Sequence, residues 1–158
     1  MPFGCDILVT LTKAEKSKLH NEALKYSGAV YSLIGNHEMM NSNDLRYVSY
    51  DNIVSFASPN AKDKFNSGLE NRKKEFKPGN KMANFLACTR LMALVIGSNL
   101  FVHAGIVKQI SDKYEIDDLN KILSLNLFNE LDNPEYIRDI FENAIISPLW
   151  TRAYGLAN

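Results

Sequence analysis

The chain lacks a surplus of charge. Eighteen lysines and arginines balance eighteen aspartates and glutamates over 158 residues. That balance excludes a general basic field for nucleic acid, and it excludes an acidic tail. Long apolar runs are also missing. The longest, such as Leu91 to Gly97, are far too short to span a bilayer, so no membrane partner is expected. The first residues, MPFGCDILVTLTKAEK, have no cationic start followed by an apolar core of signal length, which predicts a cytoplasmic rather than secreted protein. Cysteine occurs twice, at Cys5 and Cys88, without metal-ligand spacing. One disulfide is open to that pair, but reduced thiols are the expectation in the cytosol. There is no internal repeat and no low-complexity linker. The length is that of one domain, residues 1–158.

What is present is ordinary for a globular chain: 46% hydrophobic and 23% charged residues. Thr12 and Glu15 read as a capping box that opens a helix over Lys13 to Tyr26, with Leu19, Ala23 and Tyr26 as a partial stripe. Ser27-Gly28 should stop it. Ala29 to Ile34 predicts a strand covered on both faces. Ser58-Pro59 predicts the start of a charged helix over Asn60 to Phe76, weakened by Gly68. A turn at Lys77-Pro78-Gly79 leads to a short helix over Met82 to Thr89. Leu91 to Ile96 and Leu100 to His103 predict two strands around Gly97-Ser98-Asn99. Ile116 to Leu131 is helical in pattern. Asn133-Pro134 opens a last helix bearing Ile137, Ile140, Phe141 and Ile145, ended by Ser147-Pro148. The mixture predicts a layered α/β domain, although strands are few for a complete one.

Chemistry gathers at two predicted strand ends. The run YSLIGNHEMMN passes from an apolar strand into Gly35, Asn36, His37 and Glu38, where Gly35 would allow a sharp turn. The run LFVHAG delivers His103 and then small residues, which would let a ligand approach the backbone. Strand carboxyl ends are where open α/β sheets bind ligands. Imidazole nitrogen and amide oxygen are both acceptable ligands for a divalent transition metal. A metal lowers the pKa of its bound water and offsets phosphate charge. A histidine beside it can donate a proton to a leaving oxygen, and Glu38 could orient that ring. The bland reading stands beside this one. A lone histidine is more often a hydrogen-bonded structural residue, and asparagine after glycine is common turn chemistry. His20 reads as a surface or rim residue.

Gly35-Asn36-His37-Glu38 matches the GNHE signature of the calcineurin-like metallophosphoesterases. The chain resembles the phosphoprotein phosphatase superfamily, and within it the Shewanella-like phosphatases. The similarity continues through Met40-Asn41 and Asp44-Leu45-Arg46-Tyr47-Val48. It then runs through Arg72, Phe76, Pro78 and Gly79, through Phe101 to Gly105, and through Pro148 to Arg152. Ala104 departs from the glycine usual in relatives. The resemblance implies a metal-dependent serine/threonine-type phosphatase that hydrolyses phosphoproteins or small phosphoesters with metal-activated hydroxide. It implies two divalent ions, manganese, iron or zinc. Asn36 and His103 would be ligands of one of them, and His37 the general acid. Arg152 would be a phosphate clamp. Arg46 would bind substrate or form a structural salt bridge, and Trp150 would serve packing.

Other parts of that family's pattern are not visible. No aspartate-x-histidine motif or glycine-aspartate-x-x-aspartate motif occurs in the 35 residues before Asn36, and no histidine follows His103. Two divalent ions roughly 3.5–4 Å apart need an anionic bridge between them, and Asn36 and His103 are both neutral. The resemblance therefore implies a partial metallophosphoesterase fold, without its N-terminal strands and C-terminal part. Such a chain would be a gene fragment, a split gene product or a truncated frame. It would expose an apolar sheet edge. The alternatives are a non-catalytic remnant or interaction module, and a chain that pairs with another polypeptide supplying the missing motifs.

Overall fold

The computed structural model describes residues 15–41 and 48–155. About half of these are helical, and the fold is mixed α/β. Its centre is a pair of helices, α5 (Lys81–Thr89) and α7 (Ile116–Leu127). On α7, Leu119, Ile122, Leu123 and Leu127 are buried, the i, i+3, i+4, i+8 spacing that forms one apolar face. They meet Ala83, Phe85, Leu86 and Ala87 of α5. Ile34, Met92, Ile110, Ile140 and Leu149 complete this core from other parts of the chain.

The sheet is small. Strands β1 (Ala93–Ile96) and β2 (Asn99–Val102) form an antiparallel hairpin, with Ala93 opposite Val102 and Ile96 opposite Asn99. Gly97 has φ +62°, the left-handed value that a two-residue hairpin turn requires. Asn120 of α7 anchors the hairpin's base. Its Oδ1 accepts the amides of Met92 and Ala93 at 2.7 and 3.1 Å, and its Nδ2 donates to the Ala93 carbonyl at 3.0 Å.

The strand expected over Ala29 to Ile34 is corrected to a single parallel bridge between Leu33 and Leu91. Ile34 N donates to Leu91 O at 2.8 Å, and Leu91 N donates to Ser32 O at 3.0 Å. Val30 and Tyr31 are exposed and join no ladder among the described residues, so a longer strand has nothing to pair with. The layered sheet expected from the sequence is accordingly a hairpin and one bridge among the described residues.

The helices mostly fall where expected, with shifted ends. α1 is Glu15–Leu24, but Leu19 and Tyr26 of its expected stripe are exposed. Two short helices were not expected from the sequence: α2 (Asn36–Met40) and α3 (Tyr50–Ser55). α4 is Lys64–Phe76 and starts four residues later than expected. Asp63, not Ser58, caps it by accepting the Asn66 amide at 3.0 Å, and that bond holds the Asp63 carboxyl below its usual value. α3 and α4 cross closely at Gly68. Arg72 of α4 is buried against the same crossing, its guanidinium over Phe76 at 4.2 Å and its Nε donating to Asn52 Oδ1 at 2.9 Å. Burial lowers its pKa.

A further unexpected helix, α6, is Lys108–Ser111. α7 ends at Leu127, short of the expected Leu131, because Asn129 turns left-handed at φ +62°. The last helix opens as expected at Asn133, whose side chain accepts the Glu135 amide at 2.9 Å. It runs as α8 (Pro134–Tyr136) and continues as a π-helix over Ile137–Glu142. Ile145 lies beyond it and is exposed.

Cys5 lies outside the described residues, and with it the expectation about the pairing of the two cysteines. Among the described residues no helix is long and apolar enough to cross a membrane.

Candidate functional site

The turn after Ile34 carries the first group. Gly35 caps α2 with φ −111° and ψ 169°, an extended conformation open to any residue, so the sharp turn expected of it is corrected. Its need for glycine is spatial. A Cβ there would lie 2.7 Å from Glu38 Oε2 and 3.3 Å from Cε1 and Nδ1 of His103. The Glu38 carboxylate accepts the Gly35 amide at 3.0 Å, closing the first turn of the helix back onto its cap. That bond gives Glu38 its position beside the two site residues. Asn36 and His37 become the first two residues of α2, with Asn36 half-buried and His37 exposed.

His103 arrives from the other side. It follows β2 directly, and the next amide, Ala104 N, donates to Pro148 O at 3.0 Å, which fixes where the chain leaves the hairpin. The two runs converge at their side chains. His103 Nε2 lies 3.0 Å from Asn36 Oδ1. With its proton on Nε2, the imidazole donates to the amide oxygen. With the proton on Nδ1, the same nitrogen has a free lone pair.

The pair opens into a cleft of about 320 Å³. Arg152 and Trp150 line that cleft together with Asn36 and His103. The structure thus brings together four of the residues singled out by sequence. Trp150 packs against the core, as expected of it, and also faces the cleft. Thr151 is buried below, held by a bond from its amide to Ser147 O at 3.0 Å. The small residue at Gly105 does not leave the backbone open to a ligand. A Cβ there would meet the Tyr154 ring at 2.7 Å, and the Tyr154 hydroxyl donates to Ile106 O at 2.7 Å. Arg46 lies outside the described residues. His20 is a half-buried tie between α1 and the chain at Val30, its Nδ1 3.0 Å from Val30 O.

Arg90 was missed by sequence reasoning. It stands between α5 and Leu91, and its guanidinium donates to Thr89 O at 3.1 Å. Burial lowers its pKa, and the charge of Glu38 opposes that shift, so the two groups feel each other beside the turn. Nothing in its sequence setting marks it. A larger cavity of about 440 Å³, lined by Phe56, Asn71, Lys74, Glu75, Lys81 and Met82, contains none of the expected site residues.

Adjacent ligands on bonds of about 2.1 Å sit about 3 Å apart, and Asn36 Oδ1 and His103 Nε2 have that spacing. The pair fits two neighbouring coordination positions. Among the described residues, however, no group of three or more His, Cys, Asp or Glu side chains could hold a metal ion. Two neutral ligands do not make a complete centre.

Comparison with known proteins gives two relatives. The chain is 39% identical over 151 residues to an uncharacterized protein of Acanthamoeba polyphaga mimivirus, a match covering 87% of this chain and 60% of that protein. It is 32% identical over 144 residues to an uncharacterized protein of Schizosaccharomyces pombe, covering 88% of this chain and 40% of that protein. The match therefore spans less than two thirds of the length of either. No protein-family profile matches it, and no solved structure does.

Proposed function

We propose that the chain is the part of a metal-dependent phosphoesterase domain that carries two ligands, a proton donor and a phosphate clamp. The observation that supports this reading best is the 3.0 Å approach of Asn36 Oδ1 to His103 Nε2 at the mouth of a cleft shared with Arg152. A divalent cation, when bound, supplies Lewis acidity and offsets phosphate charge. The chain's own residues do the rest. Asn36 and His103 offer an oxygen and a nitrogen lone pair from two different segments. His37, exposed at the start of α2, offers a proton to the leaving oxygen of a phosphate monoester. Arg152 offers a planar guanidinium to phosphate oxygens. Glu38 holds the turn that sets Asn36 and His37 side by side. The substrate class is a phosphorylated protein or a small phosphoester. The fold, on this reading, is a partial layered metallophosphoesterase sheet.

A second reading is a non-catalytic interaction module that keeps the fold without a working centre. The donor set favours it, because the described ligands stop at two neutral groups. Metal content separates the two. Elemental analysis of the purified chain with near-stoichiometric manganese, iron or zinc supports the first reading and contradicts the second. Incubated alone with p-nitrophenyl phosphate and Mn²⁺, the chain is expected to show negligible turnover. Robust turnover abolished by His37→Ala would show that its ligand set is complete by itself.

A further inference from the structure

The overall balance of charge hides a local imbalance. In residues 60–81, seven side chains are lysine or arginine and three are acidic, whereas in residues 112–142 nine are acidic and three basic. The basic stretch includes α4 and the start of α5, and these two helices wall the cavity of about 440 Å³. That volume lies in the range of ligand sites. Hydrogen bonds hold its wall in place. Asn71 Nδ2 donates to Phe56 O at 2.9 Å and to Ser58 Oγ at 3.2 Å, which ties the residue after α3 to α4. Exposure sorts the lining. Phe56, Met82 and Glu75 are half-buried, and Lys74 and Lys81 are exposed. Among the described residues, Lys73 pairs with Glu70 at 3.6 Å, whereas Lys74, Glu75 and Lys81 form no ion pair. A third cation stands against the Phe56 ring. Arg72 is 4% exposed, its guanidinium lies 5.7 Å from the ring centre, and its Nη1 has no hydrogen-bond partner among the described residues. Salt screens a buried charge weakly, so Arg72 adds to the positive potential of the cavity.

We propose that this cavity docks an extended acidic peptide segment of a partner protein. One apolar side chain enters against Phe56 and Met82, and carboxylates on either side of it meet Lys74 and Lys81. Charge complementarity selects this occupant. The two exposed lysines attract anions, and a neutral ligand would leave them unused. Glu75 repels a free anion that settles among the lining residues, so the negative groups belong at the exposed lysines and an uncharged side chain belongs inside. Inorganic phosphate brings charge without that apolar anchor. A second copy of this chain offers its acidic stretch, but Leu119, Ile122, Leu123 and Leu127 of that stretch are buried in its own core and cannot enter a cavity. Docking uses none of Asn36, His103 and Arg152 and needs no metal, so it stands apart from the functional reading above.

Fluorescence anisotropy of the intact chain without metal tests this. The probe is a panel of short labelled peptides in which one Phe, Leu, Ile or Met is flanked on both sides by Asp and Glu. At least one peptide should bind saturably, and serine in place of its apolar residue should weaken it about tenfold. Lys74→Glu combined with Lys81→Glu should also weaken binding about tenfold, while Lys121→Glu, at an exposed lysine of α7, leaves it unchanged. In the unaltered chain, the same peptide should move the amide resonances of Lys74, Lys81 and Met82 in an NMR titration and leave those of Asn36 and His103 in place. The proposal is overturned if no peptide of the panel binds, if the serine peptide or inorganic phosphate binds as well, if the shifted resonances lie elsewhere, or if binding survives the double charge reversal. It is overturned equally if sedimentation shows the chain associating with itself through the same two lysines, which makes a second copy the occupant.

Discussion

At the scale of single residues, the account turns on what Gly35 permits. A methyl group there would displace Glu38 Oε2, which sits 2.7 Å from the required position, and would press on the His103 ring at 3.3 Å. Gly35→Ala should therefore cost about 1 kcal/mol, the usual worth of a lost capping bond. It should also shift the His103 side-chain resonances in an NMR spectrum. A variant as stable as the parent, with an unshifted His103, would contradict the contact. Asn36 and His103 were legible in the sequence because each follows an apolar run and precedes a small or turning segment. Arg90 was not legible, because its relation to Glu38 exists only after the Leu33–Leu91 bridge has formed.

At the scale of elements, Gly68 has a meaning that helix propensity hides. The sequence presents it as a weak point in α4. In the fold, a Cβ on Gly68 would lie 2.1 Å from the Ile53 carbonyl oxygen and 2.9 Å from its carbon, both backbone atoms of α3. The helix gives up propensity so that α3 can approach. Gly68→Ala should destabilise the protein by about 1–3 kcal/mol, as overpacking does, although alanine is the better helix former. A rise in the urea midpoint would contradict the crossing. Leu123, fully buried between α7 and α5, should cost about 2–5 kcal/mol on truncation to alanine, measured the same way. α5, α7 and the hairpin were legible because their apolar periods are long or their turn chemistry is strong. α2, α3 and α6 were not, since four to six residues carry too little period to read. The π-helical turn after Tyr136 left no mark in the sequence either.

At the scale of the whole molecule, a charged cluster ties α6 and its following turn to the last helix. Lys113 Nζ lies 2.7 Å from Glu135 and 2.9 Å from the buried Asp139, which Arg138 also contacts at 3.0 Å. Tyr114 donates its hydroxyl to the same Asp139 at 3.2 Å. The bond from Lys113 holds the Asp139 carboxyl below its ordinary value, against the opposing effect of burial. Its contribution to stability is present above the carboxylate range and is lost as pH falls through the lowered value. The urea midpoint should drop as pH is taken below about 4, with a shallower drop in Asp139→Asn. Burial pushes the Tyr114 hydroxyl up to about 12. That raised group contributes fully below its ordinary value of 10.0 and loses its contribution as pH rises through the raised one. Tyr114→Phe should flatten the alkaline arm of the same curve.

The molecule as a whole was legible as mixed α/β. The reduction of Ala29 to Ile34 to a single bridge was not, because pairing depends on which neighbours are present rather than on the segment's own residues.

The central claim is that Asn36 and His103 act as one ligand pair. The direct measurement is a zinc titration of the chain followed by ¹⁵N NMR of its histidine side chains. The account predicts that His103 Nε2 takes up the ion ahead of His20 and His37, and that Asn36→Ala weakens the site about tenfold. Zinc that reaches His20 or His37 first while His103 stays unchanged, or an Asn36→Ala protein that binds as the parent does, would contradict it.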